Sequence, residues 1–97
     1  MIKVKINPKK ITIKGHADYE DYGKDIVCAS VSSIVTTTIN AIISFNDKSI
    51  KYESSEGLVV IDIINMDETT KKLLDNMVSL LDELSVDYPK NIKVERE

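Results

Sequence analysis

Apolar and polar residues alternate at the start of the chain. Ile2, Val4 and Ile6 fall between Lys3, Lys5 and Asn7, and after Pro8-Lys9-Lys10 the alternation resumes at Ile11 and Ile13 against Thr12 and Lys14. A period of two broken by a proline turn predicts a β-hairpin with one apolar face. From Gly15 to Lys24 the period stops, and His16, acidic residues, Tyr19 and Tyr22 fill a predicted loop with Gly15 and Gly23 at or near its ends. Asp25 is a good helix N-cap, and Ile26, Val27, Val31, Ile34, Val35, Ile39, Ile42 and Ile43 then carry an apolar stripe to Phe45. Thr36-Thr37-Thr38 has weak helix propensity, and the β-branched density would also suit a strand. About twenty residues without a turn signal favour a buried helix.

Asn46-Asp47 ends that helix, Ser49 to Glu53 reads as a short strand, Ser54 to Gly57 as a turn, and Leu58 to Ile64 as a strongly apolar strand. Asp67 and Glu68 open a second helix. Its residues Leu73, Leu74, Met77, Val78, Leu80, Leu81 and Leu84 recur at helical spacing until Asp87-Tyr88-Pro89. Ile92 and Val94 add an optional edge strand. The order ββαββα(β) predicts a two-layer α+β fold, with two long helices on a mainly antiparallel sheet and a single domain over residues 1–97.

Composition narrows the function classes. Apolar residues make up 42% of the chain and charged ones 30%, which suits a folded globular domain. A net charge of −3 gives no overall attraction to nucleic acid, although Lys3, Lys5, Lys9, Lys10 and Lys14 form a local basic group. Direct nucleic-acid binding is not required by any feature. A single cysteine allows no internal disulfide. With no signal-peptide pattern, and no stretch read as approaching the ~18 apolar residues of a membrane span, the chain is expected to be cytoplasmic and membrane-free. One histidine and one cysteine with scattered acids give no zinc spacing, and Gly15, Gly23 and Gly57 give no nucleotide loop, so no metal or cofactor is expected.

The unique thiol and the unique imidazole carry the chemistry. With Asp25 as the cap, Cys28 falls at the third helical position, where unsatisfied N–H groups and the helix dipole favour a thiolate. The competing reading is a small buried hydrophobe among Ile26, Val27 and Ala29. His16 lies twelve positions earlier, on a loop that can return to the helix start, or it is simply a solvated histidine. Asp25 is a cap that can also orient His16. Ser32, one turn after Cys28, either bonds that loop or bonds back to the helix. The acidic run Asp18, Glu20 and Asp21 is a solvated loop or a receptor for a basic peptide.

At these residues the chain resembles the Prp family, the ribosomal-processing cysteine proteases of Firmicutes and some related bacteria. The resemblance rests on Gly15-His16-Ala17, Tyr22-Gly23 and Asp25-Ile26-Val27-Cys28-Ala29 with Ser32, in that order and spacing, and extends through Asn40-Ala41-Ile42-Ile43 and the element order. It implies a cysteine endopeptidase that removes the N-terminal extension of large-subunit ribosomal protein twenty-seven during ribosome assembly. It also implies Cys28 as nucleophile and His16 as base, with Asp25, Ser32, Gly15 and Gly23 in support, on a homodimeric domain whose loop Gly15 to Lys24 gates the site. Cleavage in the family follows a large apolar residue and precedes a small one. Ser30 departs from the glycine or alanine common in relatives. The rival classes are a non-catalytic ribosome-associated module that docks a peptide along a strand edge, and a thiol redox sensor without a resolving cysteine.

Overall fold

The computed structural model describes residues 1–15 and 22–97, the side chains of residues 22–25 excepted. Seven elements follow in order: β1 (Ile2–Asn7), β2 (Lys10–Lys14), α1 (Tyr22–Phe45), β3 (Ile50–Ser55), β4 (Leu58–Ile63), α2 (Glu68–Asp87) and β5 (Ile92–Arg96). The strands form one sheet in the order β3-β4-β2-β1-β5. Every pairing is antiparallel except β1 with β5, which is parallel because α2 carries the chain from β4 back across the sheet before β5 begins. The two-layer α+β expectation holds, and the optional last strand is present.

The first hairpin closes as its pattern requires. Asn7 Oδ1 accepts the backbone N–H groups of Lys9 (2.9 Å) and Lys10 (2.8 Å), which turns the chain over Pro8. The register opposes Val4 to Ile13 and Ile6 to Ile11, so the apolar residues share one face. Both helices cover that face. Ile2, Val4, Ile11, Ile13, Ile61 and Ile92 of the sheet pack with Val27, Val31, Val35, Ile39 and Ile42 of α1 and Leu74, Met77 and Leu81 of α2.

Two boundaries and one composition reading differ from expectation. Ser54 and Ser55 belong to β3, so the second turn is only Glu56-Gly57, with Gly57 at φ 72°. The first helix begins at Tyr22, which makes Asp25 its fourth residue rather than its cap and Cys28 its seventh. Gly23 does not stop it, because first-turn N–H groups lack intrahelical partners in any sequence and an acid in that turn complements the dipole. Finally, Ile26–Phe45 is long and apolar enough to cross a membrane by length and composition, contrary to the expectation that no stretch approaches that size. Here it is a core helix: Val27, Val31, Val35 and Ile42 are buried, while Ser32, Ser33, Thr36, Thr37 and Asn40 face outward.

The second helix is more conventional. Asp67 caps it by accepting the Thr70 N–H at 2.7 Å, and its other oxygen accepts the hydroxyl of fully buried Ser49 at 2.8 Å. The Thr70 N–H, then the Ser49 hydroxyl, hold the Asp67 carboxyl at a pKa of about 2, below its ordinary 3.8. Exposed Lys71–Asp75 and Lys72–Glu68 pairs decorate the outer face, and an Arg96–Asp82 pair ties the helix to β5.

Candidate active site

Cys28 is half-buried on α1 and packs against the core. It lines a cleft of about 200 Å³ between the helix and the end of the sheet where β2 finishes and β4 starts. On the helix side, Cys28, Ser32 and Thr36 follow one another at intervals of four, so they stack on successive turns along the cleft, with Val31 and Val35 beside them. On the sheet side the walls are Ile13, Leu58 and Val59, and the rim is Ser54, Ser55 and Gly57. The result is an apolar floor under a rim of hydroxyl groups.

Gly15 closes one end. Its N–H donates to the Gly57 carbonyl at 2.8 Å, extending the β2–β4 ladder one step past the Lys14–Leu58 pair. Its φ is +115°, and a Cβ there would lie 2.5 Å from the Met1 carbonyl oxygen. Only glycine fits that left-handed, crowded position without displacement. The family motif's first residue is thus a backbone requirement of the cleft.

The arrangement corrects one expected source of reactivity. The unsatisfied N–H groups of α1 belong to its first turn, Tyr22 to Asp25, three to six residues before Cys28, or about 4.5–9 Å along the axis at 1.5 Å per residue. Cys28 therefore lies one turn beyond the third helical position expected for it, and the dipole effect expected there is weaker, because it falls off within the first turn. Among the described residues, Ser32 makes no hydrogen bond back to the helix, in contrast to Thr38, whose hydroxyl donates to the Ile34 carbonyl at 2.8 Å. Ser32 instead shares the cleft with Cys28. His16 lies outside the described residues, as do residues 17–21 and the side chain of Asp25.

Sequence reasoning did not identify Thr36, Ser54, Ser55, Leu58 or Val59 as cleft residues. Thr36 follows Ser32 by one helical turn, whereas the four sheet residues arrive through the β2–β4 and β3–β4 registers, pairings that no local pattern announces.

Comparison with known proteins agrees with this geometry. The profile of the family described as "Cysteine protease Prp" matches residues 1–93. A protein named ribosomal processing cysteine protease Prp from Staphylococcus aureus is 31% identical over 87 residues, covering 87% of this chain and 82% of its own. Its namesake from Mycoplasma pneumoniae is 31% identical over 97 residues, covering 98% and 94%. The crystal structure of the S. aureus protease in complex with a substrate peptide superposes with a TM-score of 0.86 at 23% identity, over 99% of this chain and 97% of that one. The chain belongs to the Prp family of cysteine proteases. It is accordingly an enzyme, and the non-catalytic alternative falls away.

Proposed function

We propose that this protease removes a short N-terminal extension from large-subunit ribosomal protein twenty-seven, acting as a cytoplasmic homodimer with Cys28 as nucleophile and His16 as general base. The observation that carries the reading is the cleft: the chain's one thiol sits in the wall of a groove whose far end is Gly15, and His16 is the next residue in the chain. Relatives that share the family are named for ribosomal processing.

The Cys28 thiol gives its proton to His16 and the sulfur attacks the scissile carbonyl. The imidazolium then protonates the departing amine. Water, deprotonated by His16, releases the acyl group and restores the thiol. The apolar floor of Val31, Val35 and Val59 suits the large apolar residue on the acyl side of the cut. The serine rim can bond the peptide backbone while that side chain is held.

A peptide spanning the extension and the first mature residues of the host's ribosomal protein twenty-seven, followed by mass spectrometry, tests this. The parent protein should cut one bond. Cys28→Ala should lower turnover by at least about 10³-fold, and His16→Ala should remove most of it. Equal cleavage by Cys28→Ala, or an intact peptide with the parent, overturns the assignment.

A further inference from the structure

The sheet face turned away from the helices has an unusual charge arrangement. The β1–β2 hairpin, with its leading residue, carries five lysines and no acid, in a chain whose net charge is −3. The registers set Lys14 opposite Lys3 and Lys3 opposite Lys93, so three lysines form one row across β2, β1 and β5. Lys5 lies in the next row, between Thr12 and Glu95. Like charges directly opposed across strands are destabilising, so stability does not favour this row. Protection of a sheet edge does not explain it either: β1 and β2 are interior strands, and the true edges β3 and β5 carry mixed charges in Lys51 with Glu53 and Lys93 with Glu95. Lys10 and Lys93 have acidic partners in Asp62 and Glu95, whereas Lys3, Lys5 and Lys14 make no ion pair among the described residues. Lys3, Lys5, Lys10 and Lys14 line a concavity of about 550 Å³, in which Glu97 is the one acid among the lining residues.

We propose that this concave face is a docking surface for the phosphate backbone of RNA, with Lys3, Lys5 and Lys14 as its principal contacts. The inference rests on the ribosomal-processing reading above for its choice of polyanion. A ribosomal protein binds RNA and is itself cationic, so the lysine face repels the substrate and complements the RNA that the substrate engages. A membrane surface fits less well, because Met1 is the one exposed large apolar residue among those lining the concavity, Leu58 and Val60 are only partly exposed, and no aromatic residue lines it. Gly15 borders both this concavity and the Cys28 cleft, so RNA docked on the face leaves the cleft open and adjacent.

The test uses the full chain and a fluorescein-labelled RNA hairpin of mixed sequence, with binding read by fluorescence polarisation across a salt series. Three phosphate contacts predict a slope of log affinity against log salt of about −2 to −3. The triple variant Lys3→Gln, Lys5→Gln, Lys14→Gln should bind at least about tenfold more weakly with a flatter slope. It should unfold at an equal or higher temperature and cut the isolated peptide at the parent rate. Absence of RNA binding by the parent, or unchanged binding by the triple variant, overturns the proposal. So does binding by the parent to vesicles of equal phosphatidylglycerol and phosphatidylcholine in preference to the RNA. Peptide cleavage reads the proposed function separately: its failure beside lysine-dependent RNA binding removes the substrate assignment and keeps the docking face.

Discussion

The two helices cover the same sheet face by different means. The second is capped by Asp67, carries ion pairs on its outer side and buries Thr70, Leu74, Met77 and Leu81 along one stripe. Between Ile26 and Phe45 the first helix has no charged residue, its outer positions are alanine, serine, threonine and asparagine, and it bears Cys28. Local preferences support α2, whereas α1 depends on the sheet beneath it. The contrast teaches that the helix holding the chemistry is the one its own sequence supports least. Uncharged, short side chains let a peptide approach the helix surface closely, at the expense of helix propensity.

The contrast can be broken first at the core. Leu81 is fully buried, and Leu81→Ala should cost about 2–5 kcal/mol in denaturant unfolding, because well-packed surroundings relax only partly around the cavity. A loss below 1 kcal/mol would show that α2 does not need its tertiary stripe. Next comes the cleft wall. Gly15→Ala should destabilise by roughly 1–3 kcal/mol through its positive φ and the clash with the Met1 carbonyl, and should lower peptide cleavage more than its stability loss explains. Unchanged cleavage would detach Gly15 from the site.

Acid sharpens the comparison at the α2 cap. The folded-state pKa of Asp67 is about 2, below its ordinary 3.8, so its stabilising effect is complete above pH 3.8 and is lost as the pH falls through 2. Denaturant midpoints should therefore drop between pH 4 and pH 2, and Asp67→Asn should flatten that drop. The smallest expected effect is on α1. Thr37 is exposed, and Thr37→Ala should raise stability by about 0.5 kcal/mol, because alanine loses no side-chain freedom in a helix. A destabilised Thr37→Ala protein would show that the outer face of α1 is already engaged.

Much of the fold could be read from periodicity. The alternation at Ile2, Val4, Ile11 and Ile13 marked a hairpin, and the spacing of Leu74, Met77 and Leu81 behind Asp67 marked a capped helix. These signals are local. The start of α1 is less legible, because Asp25, two residues after Gly23, carries a strong cap signal and nothing nearby shows that the helix already runs through Gly23. The parallel pairing of β5 with β1 was also invisible, since Ile92 and Val94 specify a strand but not its neighbour. At the site, Cys28 stood out as the only thiol, and Ser32 followed from helical spacing. Leu58 and Ser54 did not, because they reach the cleft through a hairpin some thirty residues further along the chain that joins β2 only in the folded sheet.

That parallel pair also has a consequence for biosynthesis. One side of β1 is matched early by β2, but its other side waits for Ile92–Arg96, which leaves the ribosome after every other strand and both helices. Until then the nascent chain presents the unpaired backbone of β1 beside Ile2 and Val4, a template on which another emerging copy can add a strand. Emergence of β5 is thus the step that covers the second side of β1, and a ribosome stalled before Ile92 would hold a chain able to form the Cys28 cleft but still open to aggregation along β1.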